Sequence, residues 1–195
     1  MKKFIPFTIL VILIVVIATS TYNINNKSNR SENLSDPESW RNSSNEENIG
    51  FQKVNLNLPD FSIKDLYNNK IKFSKKDLLG KYSVINFFAS WCTTCHAEHH
   101  LLLKLQQEKI VDIYGIAWRD IDANTKKYLE ENQNPYKKVA TDSIGLFTKI
   151  AKVEAVPETW IIDKNGNVVM RYYGNLQEFS INEIKDFLLS KQNIN

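Results

Sequence analysis

Residues 82–95 read Tyr-Ser-Val-Ile-Asn-Phe-Phe-Ala-Ser-Trp-Cys-Thr-Thr-Cys, an apolar run that ends in a CxxC. The run, Val84 to Ala89 above all, is too continuously apolar to keep one face wet, which predicts a central strand covered on both sides. After Cys95, Leu101, Leu102 and Leu105 recur at helical spacing, with Lys104, Gln106 and Gln107 on the other side. The CxxC therefore stands where a strand hands over to a helix. Its cysteines are the only two among 195 residues, too few for a disulfide scaffold. Paired three positions apart at such a junction, they predict redox chemistry.

Disulfide exchange needs a thiolate that attacks, a second thiol that resolves the mixed disulfide, and a shape that opens one sulfur and shields the other. Cys92 is expected ahead of the first helical turn, where unpaired N–H groups and the helix dipole favour the anion and lower its pKa below the free value of about 8.5. Cys95, one turn deeper, is expected to be the buried resolving thiol. The competing readings are a plain structural disulfide and half of a zinc site. A bridge across two residues closes too short a loop to stabilise much, and there is no second CxxC. His96, His99 and His100 follow as neighbours on the same helix surface. Tight coordination usually draws ligands from more than one element, so these three are expected to be solvated or to tune the thiolate, with no metal held.

Towards the N-terminus, Lys2 and Lys3 precede an apolar run from Phe4 to Ile17, and no charge follows until Lys27. This reads as an export signal over residues 1–21. Its length fits both a cleavable signal peptide, with Ala18 and Ser20 as a cleavage site, and an uncleaved signal anchor that spans the membrane; the anchor is the expectation adopted. The lysines keep the N-terminus cytoplasmic and send the rest across. Residues 22–50, rich in Asn, Ser and Glu, bury too little to order themselves and read as a linker, with Trp40 as a stray aromatic. A domain over 51–195 follows. The net charge of +3 is small and dispersed, which argues against nucleic acid.

Within that domain, Phe61–Leu66 and Lys70–Ser74 alternate around Tyr67-Asn68-Asn69 as a hairpin does, followed by a capped turn from Ser74 to Asp77 that Gly80 ends. Val111–Trp118 is a second long strand, and a helix capped by Asp122 or Asn124 runs until Asn134-Pro135 closes it. Val139–Thr141 is a short strand and Gly145–Val153 a helix. Glu158–Ile162 and Val168–Tyr173 pair across the Asn-Gly turn at 163–167, and Ile181–Leu189 is an amphipathic terminal helix. The order predicts an α/β fold with a mixed central sheet flanked by helices. Val156-Pro157-Glu158 opens a strand. Pro157 is either an ordinary strand-starting proline or a cis proline whose bend brings the Val156 backbone against the CxxC, with a strand edge for a substrate chain.

Three blocks in this order, residues 84–99 through the CxxC, Ile113–Ile116 with Arg119-Asp120, and Val156–Asp163, resemble the thioredoxin-like thiol:disulfide interchange proteins of cytochrome c maturation, the DsbE/CcmG group. The resemblance covers roughly residues 51–190 and the N-terminal anchor. It implies a thioredoxin-like fold with an N-terminal β-hairpin extension, anchored singly in the inner membrane with its domain in the periplasm. It further implies a reductant of apocytochrome c at its CxxCH segment, or of a thiol partner in that pathway, itself re-reduced by a membrane thiol reductase. No cofactor beyond a redox-active Cys92–Cys95 disulfide is implied. The attacking thiol falls on Cys92, the resolving thiol on Cys95, the cis proline on Pro157, and acids near the site on Glu98 and Glu158. The residues expected to face substrate are Trp91, Thr93, Thr94, Val156 and Pro157. Thr93 stands where the family usually has proline, and Lys152–Val156 lacks the family's glycines.

Ordinary thioredoxins carry a buried acid at the strand position held here by Asn86, and an amide cannot titrate. Proton transfer to or from Cys95 is therefore expected from Glu158 or Glu98, with pKa values raised by burial. The alternatives are a general disulfide oxidase or isomerase, and a copper chaperone of the same fold using the cysteines and a histidine.

Overall fold

The structure, a computed structural model, describes residues 50–192. The export signal expected over 1–21 and, up to residue 49, the expected linker with Trp40 lie outside the described residues. Among the described residues no helix is long and apolar enough to cross a membrane. The strands are β1 (Gln52–Asn57), β2 (Ser62–Lys64), β3 (Lys72–Ser74), β4 (Ser83–Phe88), β5 (Asp112–Trp118), β6 (Lys138–Asp142), β7 (Glu158–Ile162) and β8 (Asn167–Tyr173). The helices are α1 (Thr93–Gln107), α2 (Asp122–Asn132), α3 (Leu146–Ile150) and α4 (Glu178–Gln192), with a 3-10 turn at Lys75–Leu78.

One sheet runs in the order β1-β8-β7-β4-β5-β6, and β2-β3 form a separate hairpin. β4 pairs parallel with β5 and antiparallel with β7, so the sheet is mixed and the CxxC leaves its centre. Every residue of β4 is buried, as its unbroken apolar run requires. Alternation along the strand sends Val84 and Phe88 into a cluster with Leu101, Leu102 and Leu105 of α1, Leu129 of α2 and Ile184 of α4. Ile85 and Phe87 go to the other face, with Phe73 of the hairpin, Leu78 of the 3-10 turn, Phe147 of α3 and Trp160 of β7. Each such large apolar side chain stabilises the fold by roughly 1.5–3 kcal/mol. The hairpin is docked by its backbone: the Leu66 N–H donates to the Val139 carbonyl at 2.8 Å, and Asp65 bridges Ala140.

The expected thioredoxin-like architecture is observed, with three departures. β1 is an edge strand on β8 with no sequence expectation behind it, because its side chains are mostly exposed and only its backbone pairing defines it. The cap of α2 is neither Asp122 nor Asn124: Ile121 is the capping position, and the preceding Asp120 carboxylate accepts the Ile121 N–H (2.8 Å) and the Thr125 hydroxyl (2.9 Å). α3 stops at Ile150, short of the expected Val153, and Lys152 follows it with φ 57°.

Candidate active site

Cys92 and Cys95 are joined as a disulfide, with 5.3 Å between their Cα atoms. Cys92 is the N-cap of α1, and its sulfur accepts the Cys95 N–H at 3.1 Å, with the Thr94 hydroxyl 3.3 Å away. Both donors would stabilise a Cys92 thiolate once the bond is reduced, on top of the helix dipole. In the disulfide the expected contrast between an open and a shielded sulfur is small: Cys92 is 5% exposed and Cys95 3%. The exposed residues around them are Trp91, Thr93 and Thr94.

A second wall comes from the loop before β7. The Val156–Pro157 peptide is cis, Pro157 is buried, and the Val156 carbonyl oxygen lies 3.7 Å from the Cys92 sulfur. The sequence left two readings of this proline, and the structure has the one that brings Val156 backbone to the CxxC. On the opposite side Trp91 Nε1 donates to the Arg119 carbonyl at 3.3 Å, and its ring neighbours Trp118. Asp120 fixes the segment before Trp91 by accepting the Ser90 N–H (2.6 Å) and hydroxyl (2.9 Å).

The histidines do not share one exposed face. His99 is buried, and its Nε2 donates to the carbonyls of Asn132 and Gln133 at 3.0 and 2.9 Å where α2 ends. Burial lowers its pKa, which keeps it neutral. His96 stacks on Tyr128 and donates to the Ser90 carbonyl at 2.8 Å, while His100 is exposed. Among the described residues no group of three His, Cys, Asp or Glu side chains is placed to hold a metal ion.

Beneath the disulfide, Asn86 of β4 and Glu98 of α1 meet. Asn86 Nδ2 donates to the Glu98 carboxylate at 2.8 Å and to the Thr159 hydroxyl oxygen at 3.0 Å, and its Oδ1 accepts from the Tyr136 hydroxyl at 2.7 Å. The other Glu98 oxygen accepts the Leu176 N–H at 2.6 Å. Gly115 makes room for this, since a Cβ there would stand 2.8 Å from the Tyr136 ring. Glu98 is fully buried, with no cation among its hydrogen-bond partners, and burial pushes its carboxyl up to about 7 against the pull of those two donors. Glu158 is placed differently. It is buried on the opposite face of the sheet, bonded to Trp160 Nε1 (2.6 Å) and paired with Arg171 (2.5 Å), so the structure does not bring it to the cysteines' side. Tyr136, Thr159 and the Leu176 N–H were not anticipated, because no local sequence pattern marks them.

Residues 53–188 match the Redoxin family. The chain belongs to the Redoxin family. Among relatives, it is 35% identical over 121 residues to the thiol:disulfide interchange protein DsbE of Haemophilus influenzae, covering 62% of this chain and 66% of that one. It is 35% identical over 119 residues to HelX of Rhodobacter capsulatus, a thiol:disulfide interchange protein, covering 60% of this chain and 67% of that one. The chain thus spans about two thirds of the length of these relatives. The fold recurs in a secreted Mycobacterium tuberculosis disulfide oxidoreductase homologous to E. coli DsbE (TM-score 0.56, 19% identity, 67% of this chain and 95% of that one). It recurs also in a secreted thiol-disulfide isomerase of Corynebacterium glutamicum (TM-score 0.62, 17% identity, 75% and 95%). Thioredoxin-like oxidoreductases work through a redox-active disulfide, and the Cys92–Cys95 bond of this DsbE-type chain is consistent with a CxxC thiol:disulfide oxidoreductase.

Proposed function

We propose that the protein reduces disulfides during cytochrome c maturation, acting on the CxxCH segment of apocytochrome c or on a thiol partner of that pathway so that haem can be attached. The observation that carries the chemistry is the Cys92 sulfur at the mouth of α1, fed by the Cys95 N–H on one side and approached by the Val156 carbonyl on the other. The DsbE and HelX likeness supports the pathway.

In the cycle the Cys92 thiolate attacks one sulfur of the substrate disulfide. That S–S bond breaks, one substrate cysteine leaves as a thiolate, and the other stays in a mixed disulfide with Cys92. Cys95 gives its proton to Glu98, one turn along α1, and its thiolate attacks the Cys92 sulfur. The second substrate thiolate leaves, both take up protons, and two electrons have passed to substrate as Cys92–Cys95 closes. A membrane thiol reductase returns two electrons and two protons. Trp91, Thr93, Thr94 and Val156 form the surface the substrate chain meets, with the buried Pro157 setting the course of Val156 through its cis peptide, and Glu158 holds Arg171 beneath the Pro157 end of β7. The working place is the periplasmic side of the inner membrane, with residues 1–21 as the anchor.

Deleting the protein from its own cell and staining for haem tests the pathway: covalent haem should be lost and restored by added thiol reductant. Normal cytochromes c in the deletion strain contradict it. A reduction potential near the strongly oxidising end, roughly −120 mV, would favour a disulfide oxidase instead.

A further inference from the structure

Arg119 is held in an unusual way beside the redox site. Its backbone is left-handed, with φ 48°, which few non-glycine residues adopt. That conformation is fixed at both ends: the Arg119 N–H donates to the Asp142 carbonyl at 3.0 Å, and its own carbonyl accepts from Trp91 Nε1. The guanidinium lies over the Trp118 ring, 5.0 Å from its centroid. Gly145 leaves it that space, since a Cβ there would come within 2.8 Å of the Arg119 Nε. Among the described residues no carboxylate pairs with it. A cation has thus been positioned, stacked on an aromatic face and left without an anion.

Trp118, Arg119 and Gly145 lie along a cleft of about 360 Å³ whose lining also includes Lys149, Lys152 and Glu154. Lys149 and Lys152 are exposed and likewise have no carboxylate partner among the described residues, so three cations share the cleft with the single carboxylate of Glu154. Both sides of the cleft are linked to the redox site through the chain. Arg119 holds Trp91, the residue before Cys92, and Glu154 stands two residues before Val156.

We infer that the cleft is a docking subsite for the peptide segment flanking the substrate's disulfide, and that it selects acidic segments, with the Arg119 guanidinium taking a substrate carboxylate. The planar fork preset on Trp118 suits a bidentate carboxylate better than a flexible ammonium would, and the two lysines add field that steers an anionic segment inwards. The inference rests on the disulfide-exchange reading and names a substrate feature for it.

Two synthetic peptides test it, each with one intramolecular CxxC disulfide, one flanked by two Asp residues and the other by two Lys. The full chain, pre-reduced, should reduce the acidic peptide roughly three- to tenfold faster at low salt, and the ratio should fall towards one at about 0.5 M salt. In Arg119→Gln, and separately in Lys149→Gln/Lys152→Gln, the low-salt ratio should also shrink towards one. Taking the ratio within each variant cancels any change in the exchange chemistry itself. Equal rates in the wild type, or a ratio that both variants leave intact, overturn the subsite while the exchange reading stands. Failure to reduce either peptide overturns both.

Discussion

The Asn86 side-chain amide donates to the Glu98 carboxylate at 2.8 Å, joining the strand beneath the CxxC to the helix that begins with it. The buried acid that thioredoxins keep on the strand is here carried by the helix, and the strand residue has become its hydrogen-bond donor. Glu98 titrates at about 7, close to where a proton acceptor for Cys95 works best near neutral pH. Glu98→Gln should slow release of substrate from the Cys92 mixed disulfide by roughly 10²-fold and flatten its pH dependence around 7. Single-turnover kinetics from pH 6 to 8 read this, and an unchanged profile removes Glu98 from the relay.

The same carboxyl makes stability depend on pH. Its pKa is about 7 folded against 4.5 in the absence of the fold, so between these values the folded state keeps a proton that the unfolded state has released. Stability should therefore fall as pH rises through that window, by on the order of 3 kcal/mol. Glu98→Gln lacks this slope, although its absolute stability drops because an amide offers one acceptor atom to both Asn86 and Leu176. Urea unfolding of both proteins at pH 5 and pH 8 gives the comparison.

Glu158 should behave otherwise. Removing its charge leaves Arg171 buried without a counterion, and Glu158→Gln is expected to destabilise by about 3–5 kcal/mol. A companion change, Arg171→Met, should recover much of that. The pH profile of mixed-disulfide release should stay that of the wild type; a displaced profile would assign Glu158 a part in proton transfer after all.

Asp120 accepts four hydrogen bonds, from the N–H and hydroxyl of Ser90, the Ile121 N–H and the Thr125 hydroxyl. Asp120→Ala strands those donors and should cost about 2–4 kcal/mol in thermal or urea unfolding. Faster backbone hydrogen exchange at Ser90 and Trp91 should accompany it, because Ser90 loses its anchor.

What the sequence showed and what it hid follow from how far apart the partners lie. β4 was legible because burial on both faces leaves no polar positions, and the β7–β8 pairing because Asn165-Gly166 marks its turn. The CxxC needed only its immediate flanks. Asn86 and Glu98 were each noticed alone, but their contact depends on how α1 docks on β4. Tyr136 reaches Asn86 from 50 residues away, and nothing local marks it. His99 looked solvent-facing because its burial depends on where α2 ends. Glu158 was expected near the cysteines from the family resemblance, yet Thr159, its neighbour, is the residue opposite Asn86, and alternation puts Glu158 on the other face.

The account turns on Cys92 attacking and Cys95 resolving, and trapping reads this most directly. Cys95→Ala, expressed in the native cell, should accumulate a mixed disulfide through Cys92 with apocytochrome c or a thiol protein of its maturation pathway, released by reductant and absent in Cys92→Ala/Cys95→Ala. If Cys95→Ala traps nothing and Cys92→Ala alone forms the adduct, through Cys95, the assignment of the two sulfurs is contradicted.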